Sequence, residues 1–178
     1  MLDDVDQAHR SKASATIRRV TPADTAALKA LIDATDLFPS HLLDDMLADY
    51  FRGDHDQGDH VWLTDDDGGP VGVAYYAPER MTVGTWNLYL IAVHPDRQGQ
   101  GRGSALLRHV ERALAARGER VLLVETSGLP SFERTRAFYR ACGYDEEARI
   151  RDFYQAGEDK VIFQKALDAP EPSNPVGR

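Results

Sequence analysis

Glycines alternate with other residues through Gln98-Gly99-Gln100-Gly101-Arg102-Gly103-Ser104. Glycine permits positive φ and carries no Cβ that would hold a ligand away from the backbone. Immediately afterwards Leu106, Leu107, Val110, Ala113 and Leu114 fall on one helical stripe, so the loop opens a helix over 104–117 that Gly118 stops. Amides gathered at a helix start, reinforced by the helix dipole, make an anion site. Each hydrogen bond to a charged ligand is worth roughly 1.5–3 kcal/mol, so a few of them hold a pyrophosphate. A tight turn alone would need one or two glycines rather than three in alternation. No Lys-Ser/Thr follows the last glycine, which excludes a P-loop. The third glycine also comes one residue too early for a dinucleotide fingerprint, although Glu125, at the end of the next strand, imitates the ribose-binding acid of that motif.

The surrounding sequence must position this loop. Trp86 to Val93 is apolar on both faces, as a central strand is, and Arg120 to Glu125 reads as another strand. Strand, glycine loop, helix and strand then form a right-handed crossover with its two strands parallel. Upstream, Ala15 to Val20 reads as a short strand, with helices over Pro22 to Thr35 and His41 to Tyr50. His60 to Thr64 and Pro70 to Tyr76 alternate like a hairpin across Asp65-Asp66-Asp67-Gly68-Gly69. Downstream, Ser131 to Cys142 is a second helix stopped by Gly143, followed by strands over Ala148 to Tyr154 and Lys160 to Gln164. The pattern predicts an α/β (α+β) domain with a mixed sheet of about seven strands and helices on both faces. Residues 1–14 and 168–178 read as polar flexible tails around one domain over 15–167.

Composition narrows the partners. At 178 residues the chain fits one domain, and 21 basic against 29 acidic residues gives 21 − 29 = −8, which disfavours nucleic acid. No apolar run approaches the roughly 20 residues of a membrane helix, and MLDDVDQAHR places acids where a signal peptide begins basic, so no membrane partner and a cytoplasmic location are expected. The single cysteine, Cys142, excludes an internal disulfide and reads as a small packed residue. A homodimer is left open.

Gln98-Gly99-Gln100-Gly101-Arg102-Gly103 resembles the Q/R-x-x-G-x-G/A signature of the GCN5-related N-acetyltransferases. Ile91-Ala92-Val93-His94-Pro95 before it and Ala137-Phe138-Tyr139-Arg140-Ala141-Cys142-Gly143-Tyr144 after it look like the same family in the expected order. The resemblance implies the GNAT fold, with a mostly antiparallel sheet, and transfer of an acetyl group from acetyl-CoA to a primary amine. It assigns the pyrophosphate to the loop from Gln98 to Ser104, meaning Gln98, Gly99, Gln100, Gly101, Arg102, Gly103 and Ser104. It also assigns the pantetheine arm to the backbone of Ile91, Ala92 and Val93. It makes Tyr139 the general acid beside the coenzyme sulfur. A phenol of pKa near 10 giving its proton to a thiolate of conjugate pKa near 8.5 runs uphill by about 2 kcal/mol, so a hydrogen bond serves as well as transfer.

The acceptor must attack as a free amine, and presenting a lysine-like amine unprotonated at pH 7 costs about 4–5 kcal/mol without a base. Histone-type relatives carry a glutamate on the strand before the loop where this chain has Asn87, which accepts no proton. Glu125 is the favoured substitute, with Tyr89 and Glu79 as the other candidates and a pairing of Glu125 with Arg134 or Arg136 as its plain alternative. Phe132 replaces an asparagine that many relatives place before the tyrosine. Direct attack is expected, because Cys142 reads as structural. The rival is a module of the same fold that binds coenzyme A without catalysis; a nicotinamide-binding fragment is a third reading. The acceptor is a small-molecule or peptide amine, over a groove including Asp36, Phe38, His41 and the loop from Tyr154 to Asp159. No metal is expected: Asp54, His55, Asp56, Asp59 and His60 read as a solvated loop, and Asp65 to Asp67 lack a closing bidentate acid.

Overall fold

The computed structural model describes residues 16–53 and 58–167. The two expected tails, and Asp54, His55 and Asp56, lie outside the described residues. Seven strands form one sheet in the order β1-β2-β3-β4-β5-β7-β6. They are β1 (Thr16–Arg19), β2 (Val61–Asp66), β3 (Pro70–Pro78), β4 (Thr85–Val93), β5 (Val121–Ser127), β6 (Asp145–Gln155) and β7 (Glu158–Ala166). Every neighbouring pair is antiparallel except β4 and β5, which are parallel, as a helical crossover between them requires.

Helices α1 (Thr25–Thr35) and α2 (Leu42–Arg52) cover one face; α3 (Arg102–Ala116) and α4 (Glu133–Ala141) cover the other. Pro22–Asp24 enters α1 as a 3₁₀ turn, and Pro130–Phe132 does the same for α4, so both expected helices begin more tightly than a continuous α-helix. The first face buries Leu28, Leu31, Ile32, Leu43 and Leu47 on Trp62, Val73, Leu90 and Ala92. The second buries Leu106, Leu107, Val110 and Leu114 on Trp86, Leu88, Leu122, Val124 and Phe163. No helix among the described residues is long and apolar enough to cross a membrane.

Strand β4 does not keep one period. Leu88 pairs with Tyr76 while Leu90 pairs with Tyr75, so Tyr89 is an extra residue in a bulge. A slip of one residue exchanges the faces of a strand. Accordingly Trp86 and Leu88 join the core under α3, whereas Leu90 and Ala92 join the core under α1, and Tyr89 is left 51% exposed. This bulge is why the strand reads as apolar on both sides.

Candidate active site

Strands β4 and β5 pair only from Thr85 with Val121 to Leu88 with Val124. Beyond that point β4 runs on beside β3 and β5 runs on beside β7, so the two diverge and the edge of β4 from Tyr89 to Val93 faces no strand on that side. A cleft of about 410 Å³ occupies the opening, lined by Ile91, Ala92, Val93, Gln98, Gly99, Gly101, Arg102, Gly103 and Ser104 and by Arg134, Thr135, Phe138 and Tyr139 of α4. Nine residues of the expected coenzyme site thus line one cleft; Gln100 does not.

The glycines have distinct tasks. Gly99 and Gly101 sit in the left-handed region at φ 72° and 77°, where a side chain is strained. Gly103 does not share that conformation: it lies in the first turn of α3, and a Cβ there would stand 3.5 Å from the Phe138 ring. The alternation therefore combines two backbone requirements, at Gly99 and Gly101, with a third position where a Cβ would make ordinary contact with Phe138. The amides of Gly101, Arg102, Gly103 and Ser104 donate to no acceptor among the described residues; the ladder of α3 begins when Ala105 N donates to Gly101 O at 2.9 Å.

Three polar side chains of the loop are committed within the protein, which leaves the backbone amides as the groups these residues offer to a ligand. Gln98 Nε2 donates to Val93 O at 3.0 Å and Gln100 Nε2 to Asp96 O at 3.3 Å. Arg102 pairs with Asp65 at 3.0 Å and Asp67 at 2.5 Å, so its guanidinium anchors the β2–β3 hairpin. Asp65 and Asp67, which composition alone could assign to a cation, are held by this arginine and by Arg97. Asp59 and His60 of the flanking loop also have partners: Arg117 stands 4.0 Å from Asp59, and His60 Nδ1 lies 2.6 Å from the Tyr75 hydroxyl. His94 accepts from Asp96 N at 3.3 Å, which shapes the turn into the loop.

Tyr139 is 4% exposed and packs against Phe138, Tyr144 and Phe163. Its hydroxyl has no hydrogen-bond partner among the described residues, and burial, with the Cys142 thiol adding less, pushes it above the usual tyrosine range. It is therefore a neutral O–H donor turned to a cleft. Arg134, Thr135 and Phe138 were not expected there; Thr135, one helical turn before Tyr139, is the one that helical spacing could have indicated.

A second polar cluster surrounds Asn87, on the stretch of β4 that still pairs with β5 and outside the lining of that cleft. Asn87 is 1% exposed, and its Nδ2 donates to Glu125 Oε1 at 3.2 Å and to Glu79 Oε2 at 3.5 Å. Tyr89 donates to the same Glu79 oxygen at 3.4 Å. Glu125 pairs with Lys160 Nζ at 2.6 Å rather than with Arg134 or Arg136, the alternative that the sequence left open. Arg136 instead donates to the carbonyls of Ser127 and Leu129. Near Glu125, burial first and the carboxylates of Glu125 and Glu158 second push the Tyr154 hydroxyl up. Of the groove expected from the first helices, Phe38 packs on the α1–α2 core and Asp36 caps α1 at φ 52°. Cys142 is half-buried, with Sγ 3.8 Å from Ser104 Oγ.

Loop amides without acceptors among the described residues, an open strand edge and the Tyr139 phenol thus meet at one cleft, and the chain that builds it is similar to known proteins. A GNAT-family protein from Desulfovibrio desulfuricans has a solved structure that superimposes with a TM-score of 0.80 at 32% identity, over 86% of this chain and 99% of that one. The [ribosomal protein bS18]-alanine N-acetyltransferase of Escherichia coli strain K12 is 33% identical over 94 residues, 51% of this chain; the match spans 62% of that relative's length. An aminoglycoside 6'-N-acetyltransferase complexed with coenzyme A shares the fold at a TM-score of 0.69 and 16% identity, over 88% of this chain and 99% of that one. Residues 57–146 match the family described as "Acetyltransferase (GNAT) domain", and the chain belongs to that family.

Proposed function

We propose that this protein is an N-acetyltransferase, with its domain over 15–167, that moves an acetyl group from acetyl-CoA to a primary amine by direct attack. The observation that carries the reading is the cleft at the divergence of β4 and β5, which adjoins free helix-start amides, an open strand edge and the Tyr139 hydroxyl. In this reading the amides of the 99–104 loop hold the pyrophosphate, with Gln98 and Gln100 bracing the turn. The backbone of Ile91, Ala92 and Val93 pairs with the pantetheine arm and polarises the thioester carbonyl. Tyr139 donates a hydrogen bond to the departing sulfur, because a hydroxyl pushed upward by burial is a poorer proton source than free tyrosine. A carboxylate of the Asn87 cluster, Glu125 or Glu79, receives the amine's proton.

The relatives named above act on a ribosomal-protein alanine or on aminoglycosides, which supports a small-molecule or peptide amine here. A cytoplasmic site of action follows from the same reading. A module that binds coenzyme A without turnover is the second reading, favoured by Asn87 standing where a catalytic glutamate would be expected. The two carboxylates that Asn87 reaches weigh against it. The test is a thermal-shift titration with acetyl-CoA, CoA and NAD, followed by thiol release against an N-terminal alanine peptide, a lysine peptide, spermidine and an aminoglycoside. Stabilisation by acetyl-CoA with thiol release on one amine is expected; stabilisation without release on any of them selects the module.

A further inference from the structure

The two carboxylates beside Asn87 are not equivalent. Glu125 already has a permanent cation: Lys160 Nζ lies 2.6 Å from its Oε2 and 3.7 Å over the Phe153 ring, with the lysine side chain only 12% exposed. Protonating Glu125 would leave that nearly buried ammonium without its counter-charge. Glu79 has no cation partner among the described residues and accepts only two long hydrogen bonds, 3.5 Å from Asn87 and 3.4 Å from Tyr89. Beside it the Asn87 Oδ1 is buried and receives no donor among the described residues. Asn87 Oδ1 and the second carboxylate oxygen of Glu79 thus receive no donor among the described residues, and a primary ammonium brings three N–H donors.

We propose that Glu79 is the catalytic residue that receives the acceptor as an ammonium and takes its proton, while the Glu125–Lys160 pair positions Asn87 and, through it, the Glu79 carboxylate. The proposal rests on the acetyltransferase reading above and adds to it the residue that takes the proton and the form, a primary ammonium, in which the acceptor arrives. The phenols facing the cluster do not compete as bases. Burial and the carboxylates of Glu79 and Glu125 push Tyr89 up, burial alone pushes up Tyr75, stacked 5.7 Å away, and Tyr154 is raised beside Glu125 and Glu158. All three stay neutral.

In the step itself Glu79 removes one proton from the ammonium, and the free nitrogen bonds to the thioester carbonyl carbon of acetyl-CoA. The C–S bond then breaks with its electron pair going to sulfur. The nitrogen's second proton ends on the coenzyme thiol, and the proton on Glu79 returns to solvent. The balance is ammonium plus acetyl-CoA giving amide, CoA thiol and one released proton.

The test measures kcat/KM by thiol release from pH 7 to 10, with an N-terminal alanine peptide and with spermidine, for the wild type, Glu79→Gln, Glu79→Asp, Glu125→Gln and Lys160→Met. Loss of a general base costs about 100-fold or more, and without it only free amine from solution reacts, so the Glu79→Gln deficit shrinks about tenfold per pH unit up to the amine's own pKa. Glu79→Asp recovers part of the loss. Glu125→Gln and Lys160→Met show smaller deficits that do not change with pH. Retention of the acetyl-CoA thermal shift shows that each variant is folded. Glu79→Gln within threefold of wild type, or a pH-recoverable deficit in Glu125→Gln instead, overturns the assignment. A wild-type protein that is stabilised by acetyl-CoA yet releases no thiol with any amine overturns the acetyltransferase reading itself, and the assignment with it.

Discussion

Replacing Tyr139 by phenylalanine separates packing from chemistry. The ring contacts with Phe138, Tyr144 and Phe163 survive the change, and the hydroxyl leaves no stranded partner because none is bonded to it among the described residues. A large loss of stability needs an abandoned partner or a cavity, and here there is neither, so the change in stability is within about 0.5 kcal/mol. For a chain of this size that is a shift in Tm of about 2 °C or less. The chemical cost is different in scale. A hydrogen bond to a charged sulfur is worth roughly 1.5–3 kcal/mol, which is about 10- to 150-fold in kcat. The assay is steady-state thiol release by Tyr139→Phe and wild type at saturating acetyl-CoA, with differential scanning of both proteins. Preserved Tm and coenzyme shift with kcat down by that factor is the expected result. Unchanged kcat, or a Tm loss of many degrees, would return Tyr139 to the core and refute the reasoning.

Arg102→Met leaves the Asp65 carboxylate, 1% exposed, without its cation, and should destabilise the protein by about 3–5 kcal/mol in urea unfolding. It should change the acetyl-CoA dissociation constant less than threefold, since the guanidinium faces the hairpin. Asp24 is lowered to about 2, chiefly by its hydrogen bond from Arg18. A carboxylate depressed on folding contributes stability above its unfolded pKa that is lost as pH falls through its folded pKa, so the loss lies between pH about 4 and 2. The shift from 3.8 corresponds to about 2.4 kcal/mol, and screening at the one-third exposed Arg18 leaves about 1–2 kcal/mol. Asp24→Asn should remove that contribution near neutral pH and flatten the acid limb of the stability curve.

The crossover from β4 through the glycine loop and α3 to β5 was legible because each part has a local signature. An apolar run, glycine spacing and a helical stripe all appear within 43 consecutive residues, 85 to 127. The seven strands and the two-sided helical cover followed from the same periodicities. What stayed hidden depends on pairings between distant segments. Arg102 stands within the glycine motif, yet its partners Asp65 and Asp67 lie across the hairpin, and no spacing rule points from one to the others. The partner of Glu125 is set by the β5–β7 register, which places Ser127 beside Lys160; the pairing alternative open to sequence was an arginine of the adjoining helix. The bulge at Tyr89 was invisible for a related reason, because a strand apolar on both sides shows no break when its faces exchange.

The central claim is that the cleft binds the thioester donor and delivers its acetyl group to an amine. Thiol release from acetyl-CoA, followed with and without an amine and with the acetylated product weighed by mass spectrometry, tests it most directly. The account predicts amine-dependent release with one acetyl group, a gain of about 42 Da, on the acceptor and none retained on Cys142. Failure of acetyl-CoA to raise Tm at ten times any reasonable dissociation constant, where about 1.4 kcal/mol of stabilisation is expected, would contradict it. So would an acetyl group carried on the protein in place of the amine.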